Sequence, residues 1–266
     1  MSSRVCVNGV DTAYLRVGKE TGIPVVFIHG YPFSKEMWVP QLEVLAPVAE
    51  CVAYDIRGFG ESSGGSGGLS IDLFVDDLIG LLDELHLVMP VAVGLSMGGY
   101  IALRAYERFP ARFRGLALCD TRSDADSEEG RQRRVETMRS IGEGGCAAFA
   151  EGFLKRVFAA TSFATAATAV ERIRATILST VPDVLIKGQQ ALMRRPDTTP
   201  VLPFIRIPVL LMVGEEDSLT PPAVSRAMAD RIAGSELHVI PGAGHLSNLE
   251  NPSVFNAHLG AYLARL

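Results

Sequence analysis

Residues Gly94-Leu95-Ser96-Met97-Gly98 constrain the fold of this chain more than any other stretch. The apolar run Val91-Ala92-Val93 before them reads as a buried parallel strand. Gly99-Tyr100-Ile101-Ala102-Leu103-Arg104-Ala105-Tyr106 after them reads as a helix with one apolar face. A chain that leaves a strand, turns sharply at a serine and enters a helix at once has no room for Cβ atoms two residues to either side. The two glycines answer that steric demand. The spacing therefore predicts a nucleophile elbow with Ser96 at its apex. Five residues are few, and such a pattern also arises by chance, so its meaning depends on what the rest of the chain supplies.

Strand and helix signals alternate around it. Val5–Val7 and Val10–Val17 flank Asn8-Gly9 and predict a tight β-hairpin. Pro24–Ile28 and Cys51–Tyr54 are further apolar strands, with a helix expected between them from a Ser34 cap to Leu45. Glu61–Gly68, rich in Ser and Gly, reads as a mobile loop, and Ser70 caps the next helix. It lacks the Gly-Lys-Ser/Thr ending of a phosphate-binding loop. Gly115–Cys119 is another strand. From Asp120 to about Pro200 strand character stops, and short helical patterns appear near 131–140, 147–158, 170–178 and 183–193. Strands return at Val209–Val213 and Leu237–Ile240, and Asn251-Pro252 opens a terminal helix. This order predicts an α/β fold: a mostly parallel central sheet flanked by helices, interrupted once by a small helical insertion.

Composition narrows the partners. Of 266 residues, 48% are hydrophobic and 21% charged, which suits a globular α/β domain rather than a disordered chain. A net charge of −5 argues against nucleic acid or an anionic membrane as the main partner. No stretch is long and apolar enough for a membrane span, and the first residues lack a signal-like core, so a cytoplasmic location is expected. Cys6, Cys51 and Cys119 lie in or beside strand-like runs and are expected as buried, reduced thiols, with Cys146 the fourth. The five histidines show no metal-ligand spacing, and neither a metal nor a cofactor is expected.

Two residues stand where Ser96 would need partners. Asp217 follows the strand Val209–Val213, in Gly214-Glu215-Glu216-Asp217, and His245 follows the last strand, in Gly242-Ala243-Gly244-His245. All three follow the carboxyl ends of strands, the edge of an open α/β sheet where ligands bind. A serine hydroxyl needs a base to become a nucleophile, and imidazole titrates in the right range. A carboxylate then fixes the imidazole tautomer and stabilises its charged form. The N–H groups of Met97 and Tyr31 are candidates for an oxyanion hole. Asp120, just after Gly115–Cys119, is an alternative source of the acid.

With His29-Gly30-Tyr31-Pro32 and Asp55-Ile56-Arg57-Gly58-Phe59-Gly60 added, the chain resembles the α/β-hydrolase fold superfamily over essentially its full length. It looks most like the group of carboxylesterases, 3-oxoadipate enol-lactonases, acyl-homoserine-lactone hydrolases and cofactor-free haloperoxidases. The resemblance implies a core of residues 1–119 and 201–266 and a helical cap of 120–200. It also implies structural roles for Asp55 and Arg57 in bracing loops beside the site. His29 reads as a loop-fixing histidine.

A serine nucleophile implies an acyl-enzyme, which points to hydrolysis of a small-molecule carboxylic ester or lactone. C–C bond hydrolysis and peracid formation use the same triad, and a non-enzymatic receptor on this scaffold is a further alternative. The content of the insertion favours a small or medium, mostly apolar acyl group. Trp38, Phe33, Met138 and Met193 are candidates for an acyl pocket or for core. Arg122, Arg133 and Arg134 are available to hold an anionic substrate, without a place assigned.

Overall fold

Eight strands form one sheet in the order β1-β2-β4-β3-β5-β6-β7-β8. The computed structural model describes residues 2–65 and 67–266. The hairpin is β1 (Ser3–Val7) and β2 (Val10–Gly18), and Asn8 and Gly9 take φ of 48° and 76° at its two-residue turn. β2 also runs antiparallel to β4 (Ala49–Tyr54). All other pairings are parallel: β3 (Ile23–Ile28), β5 (Val91–Leu95), β6 (Gly115–Cys119), β7 (Val209–Gly214) and β8 (Glu236–Ile240). Every residue of β4, β5, β6 and β7 is buried, as their apolar runs require of strands covered on both faces, and the one charged residue among them, Glu50 of β4, pairs with Arg16.

The helices sort by the direction of each crossover. β3 to β4 steps one way along the sheet and β4 to β5 steps back. Right-handed connections therefore put α1 (Val39–Leu45) and α2 (Ile71–Glu84) on opposite faces. α3 (Met97–Arg108) packs on α2, and the terminal helix, Pro252–Leu263, packs on α1. Ser70 caps α2 by accepting from Leu73 N at 3.1 Å. The helix expected from Ser34 is shorter than its pattern suggests. Lys35–Trp38 form a 3₁₀ turn, the Ser34 side chain accepts no capping bond, and α1 begins only at Val39. Pro40 has no N–H to give, so it fits only the first turn of an α-helix.

Between β6 and β7 the chain forms α4 (Glu128–Val157), α5 (Ser162–Thr165), α6 (Ala167–Ser179) and α7 (Pro182–Met193). The two patterns near 131–140 and 147–158 both fall in α4, which kinks at Gly145. After β7 come α8 (Pro222–Ala229), then α9 (Ser247–Glu250) and α10 (Pro252–Leu263), the last capped by Asn251.

Three further expectations meet the structure. Cys51 and Cys119 are buried, but Cys6 is exposed and Cys146 only partly covered. Cys6 lies on the edge strand β1 between Val5 and Val7, and alternation turns it outward. The loop Glu61–Gly68 is anchored at its start. Ser62 is buried and accepts from Ala13 N at 2.9 Å, while Glu61 N donates to Asp55 at 2.8 Å. Ser66 of that loop lies outside the described residues. No helix among the described residues is long and apolar enough to cross a membrane.

Candidate active site

β5 delivers Ser96 into the predicted turn. Its φ and ψ are 54° and −113°, a conformation a serine adopts only at a cost of about 1–3 kcal/mol. Surrounding bonds hold it there: Ser96 N donates to Cys119 O at 2.9 Å, and Thr121 Oγ1 donates to the Ser96 carbonyl at 2.8 Å. A Cβ on Gly94 would collide with the Gly98 carbonyl, and one on Gly98 with the Ile28 carbonyl. The glycines are thus needed for backbone-on-backbone approach, as the sequence pattern implied.

β7 and β8 carry the other two residues to the same sheet edge. Asp217 Oδ1 accepts from Leu219 N at 2.8 Å and Thr220 N at 3.0 Å. Its Oδ2 accepts from Thr220 Oγ1 at 2.6 Å and meets His245 Nδ1 at 2.8 Å. His245 N donates to Val157 O at 2.8 Å, which fastens the histidine loop to the end of α4. Glu250 reinforces that joint, its carboxylate accepting from Leu246 N on one side and from Ala159 N and Ser162 Oγ on the other. Ser96, His245 and Tyr31 border one cavity of about 270 Å³. Among the described residues the Ser96 hydroxyl makes no hydrogen bond.

Asp120, the alternative acid, is engaged elsewhere. Buried after β6, it accepts from Gly214 N at 2.8 Å and from the Ser247 hydroxyl. It makes no hydrogen bond to His245 among the described residues. Burial, and then the charge of Asp217, push its carboxyl well above the ordinary range. For His245, burial opposes the charged ring, yet the charge and hydrogen bond of Asp217 outweigh it and the pKa is raised. For Asp217, burial is likewise overcome by the His245 charge and the donors around it, and the pKa is lowered.

Of the two candidate oxyanion donors, Tyr31 borders the cavity and Met97 is buried next to Ser96. Met97 is the first residue of α3, so its N–H has no partner within the helix. Neither it nor Tyr31 N–H finds a backbone or side-chain acceptor among the described residues. His29 is a structural residue. Its Nε2 accepts from Ile56 N at 2.9 Å and its Nδ1 lies 2.8 Å from Gly30 O, while burial lowers its pKa to about 4, so it stays neutral. Asp55 and Arg57 brace loops through buried ion pairs, Asp55 to Lys35 Nζ at 2.7 Å and Arg57 to Asp77 at 2.5 Å. Lys35 was not foreseen. A lysine in a short polar stretch gives no hint that it will be buried against two carboxylates, Asp55 and Glu61.

The cavity wall departs from the apolar pocket expected. Trp38, Phe33, Met138 and Met193 do not border it; Trp38 and Phe33 belong to the core. Tyr31 stacks edge-on to Phe149 and Phe153 of α4, and these aromatics with Leu192 and Leu219 form the apolar side. Arg122, Arg133 and Arg134 all reach the wall, joined by Arg156 and Arg195. The last two escape sequence reading because each sits beside another basic residue, Lys155 or Arg194, and nothing local says which of the two side chains turns toward the cavity.

A model of the alpha/beta hydrolase family matches residues 25–258. The chain belongs to the alpha/beta hydrolase family. A 3-oxoadipate enol-lactonase of Acinetobacter baylyi is 28% identical over 252 residues, covering 95% of this chain and 92% of that protein. A thermophilic esterase from Thermogutta terrifontis, solved with malate bound, superposes with a TM-score of 0.93 at 33% identity, covering 100% of this chain and 98% of that one. A bromoperoxidase from Bacillus anthracis superposes with a TM-score of 0.88 at 25% identity, covering 99% and 100%. The expected family and the mostly parallel, helix-flanked sheet are therefore correct.

Proposed function

We propose that this hydrolase cleaves carboxylic esters or lactones with small to medium acyl groups through an acyl-enzyme on Ser96. The observation that carries the reading is the 2.8 Å contact of His245 Nδ1 with Asp217, made by a histidine that shares a cavity with Ser96. With Nδ1–H donated to the carboxylate, Nε2 is left as the acceptor for the serine proton. Ser96 Oγ attacks the substrate carbonyl carbon while its proton passes to His245. The N–H groups of Met97 and Tyr31 receive the oxyanion. The tetrahedral species collapses, the C–O bond breaks, and the leaving alkoxide takes the proton from the imidazolium. Water then repeats the sequence on the acyl-enzyme: His245 takes its proton, hydroxide adds to the carbonyl, and Ser96 leaves with the returned proton and frees the acid.

In this reading residues 120–200 act as a cap on a core of 1–119 and 201–266, since α4 and α7 contribute most of the cavity wall away from the sheet. The enclosed volume supports a small or medium substrate. The esterase and enol-lactonase similarities point to the same bond class. The test is stoichiometric labelling by a fluorophosphonate probe, with p-nitrophenyl ester turnover measured beside it. Wild type should label and turn over, and Ser96→Ala should do neither. Turnover unchanged in Ser96→Ala would remove Ser96 as the nucleophile.

A further inference from the structure

Resting on the reading of Ser96 as nucleophile, we infer that the substrate carries a free carboxylate, held by Arg133, Arg156 and Arg195 at the cavity wall. Three observations support this inference. The first is a charge imbalance. Five arginines border the cavity, and the ion pairs at its wall supply only two carboxylates. Asp124 pairs with Arg122, and Asp126 is shared between Arg134 and Arg195. Three positive charges are left without a counter-ion, and Asp217 is occupied by His245.

The second is the state of individual guanidinium groups. Arg195 is 2% exposed, yet its Nη2 has no partner. The rest of that side chain is locked by Asp126, by Asp124 O at 3.0 Å and by the Tyr100 ring at 4.7 Å from its carbon. A buried, held, unpaired donor costs stability unless a partner completes it, and Arg195 is one of the residues that line the cavity. Arg133 and Arg156 make no ion pair or side-chain hydrogen bond among the described residues. Arg156 is exposed, yet crowding by neighbouring atoms and the charges of Arg133 and Arg134 hold its guanidinium below the ordinary arginine range. The arginines repel one another there, and an anion relieves that repulsion.

The third is placement. Arg156 precedes Val157, whose carbonyl holds the His245 loop, so the charged wall adjoins the catalytic base. A planar carboxylate fits the two-pronged guanidinium edge, and an ester or lactone of a polycarboxylic acid brings such a group with the scissile bond.

The test compares kcat/KM for paired esters. One pair puts the charge on the acyl part, mono-4-nitrophenyl glutarate against 4-nitrophenyl hexanoate. The other puts it on the leaving group, 4-acetoxybenzoate against phenyl acetate. We expect wild type to favour at least one charged member by tenfold or more, and added salt to reduce that preference. Arg133→Gln and Arg156→Gln should each lower the ratio by about ten- to a hundredfold, with the lysine variants in between. Equal or lower kcat/KM for both charged members would overturn the inference, while turnover of the neutral esters would leave Ser96 as nucleophile. Should no ester be turned over, calorimetric titration with glutarate still decides: binding that weakens in Arg156→Gln supports the anion site, and no binding at millimolar glutarate overturns it. Tighter binding of inorganic phosphate than of glutarate would also overturn the carboxylate assignment.

Discussion

Replacing Asp217 by Asn puts the proposed triad under the sharpest strain, because the structure dictates which way the new amide must face. Asp217 Oδ1 accepts two backbone N–H groups, from Leu219 and Thr220, at 2.8 and 3.0 Å. Only the amide oxygen can replace it there. The amide NH₂ is then turned toward Thr220 Oγ1 and His245 Nδ1, positions that Oδ2 held at 2.6 and 2.8 Å. A donor facing Nδ1 makes that nitrogen the acceptor and moves the ring proton to Nε2. The nitrogen toward Ser96 then carries a proton and cannot take another. The same exchange of donor for acceptor in a serine–histidine–aspartate triad lowers kcat about 10⁴-fold. At about 1.36 kcal/mol per decade, that is about 5 kcal/mol of lost transition-state stabilisation. The two backbone bonds survive, so the fold should hold. The assay is kcat/KM on a 4-nitrophenyl ester at neutral pH, with melting followed by circular dichroism. Asp120→Asn is the companion variant. Its carboxyl is driven toward the neutral form by burial and by Asp217, so an amide mimics it and less than a tenfold loss is expected. A small loss in Asp217→Asn beside a large one in Asp120→Asn would refute the assignment of Asp217.

Two further outcomes follow from the geometry. Since His245 must be neutral to accept the serine proton and Asp217 raises its pKa, kcat/KM should climb with pH through a midpoint above the ordinary histidine value near 6.5; a midpoint below 6 would mean that another group governs the rate. Gly98→Ala pushes a methyl group against the Ile28 carbonyl at the base of α3, a backbone atom that cannot step aside, and should cost about 1–3 kcal/mol, visible as a melting temperature several degrees lower. An unchanged melting temperature would show that the turn has slack.

Much of the site was legible because its signals are local. The strand into Ser96, the flanking glycines and the helix after them are neighbours in sequence, and each limits the backbone within a few residues. The order Ser96, Asp217, His245 was legible because each follows a strand of a parallel sheet, and such strands share one carboxyl edge. Other features depend on partners far along the chain. Lys35 and Asp55 are 20 residues apart, and Arg195 and Asp126 are 69 apart. The start of α1 was misplaced because the cap chemistry of Ser34 does not register that Pro40, six residues on, lacks an N–H.

Backbone geometry and apolar periodicity act over short spans, and they were enough to specify an alternating α/β chain with a serine poised on a strained turn. Which of two buried aspartates faces His245 was left open by those rules. So was the meeting of five arginines around one cavity. Electrostatics between side chains depends on distance through space, and distances between remote segments exist only once the sheet has formed and α4 and α7 have folded over its edge.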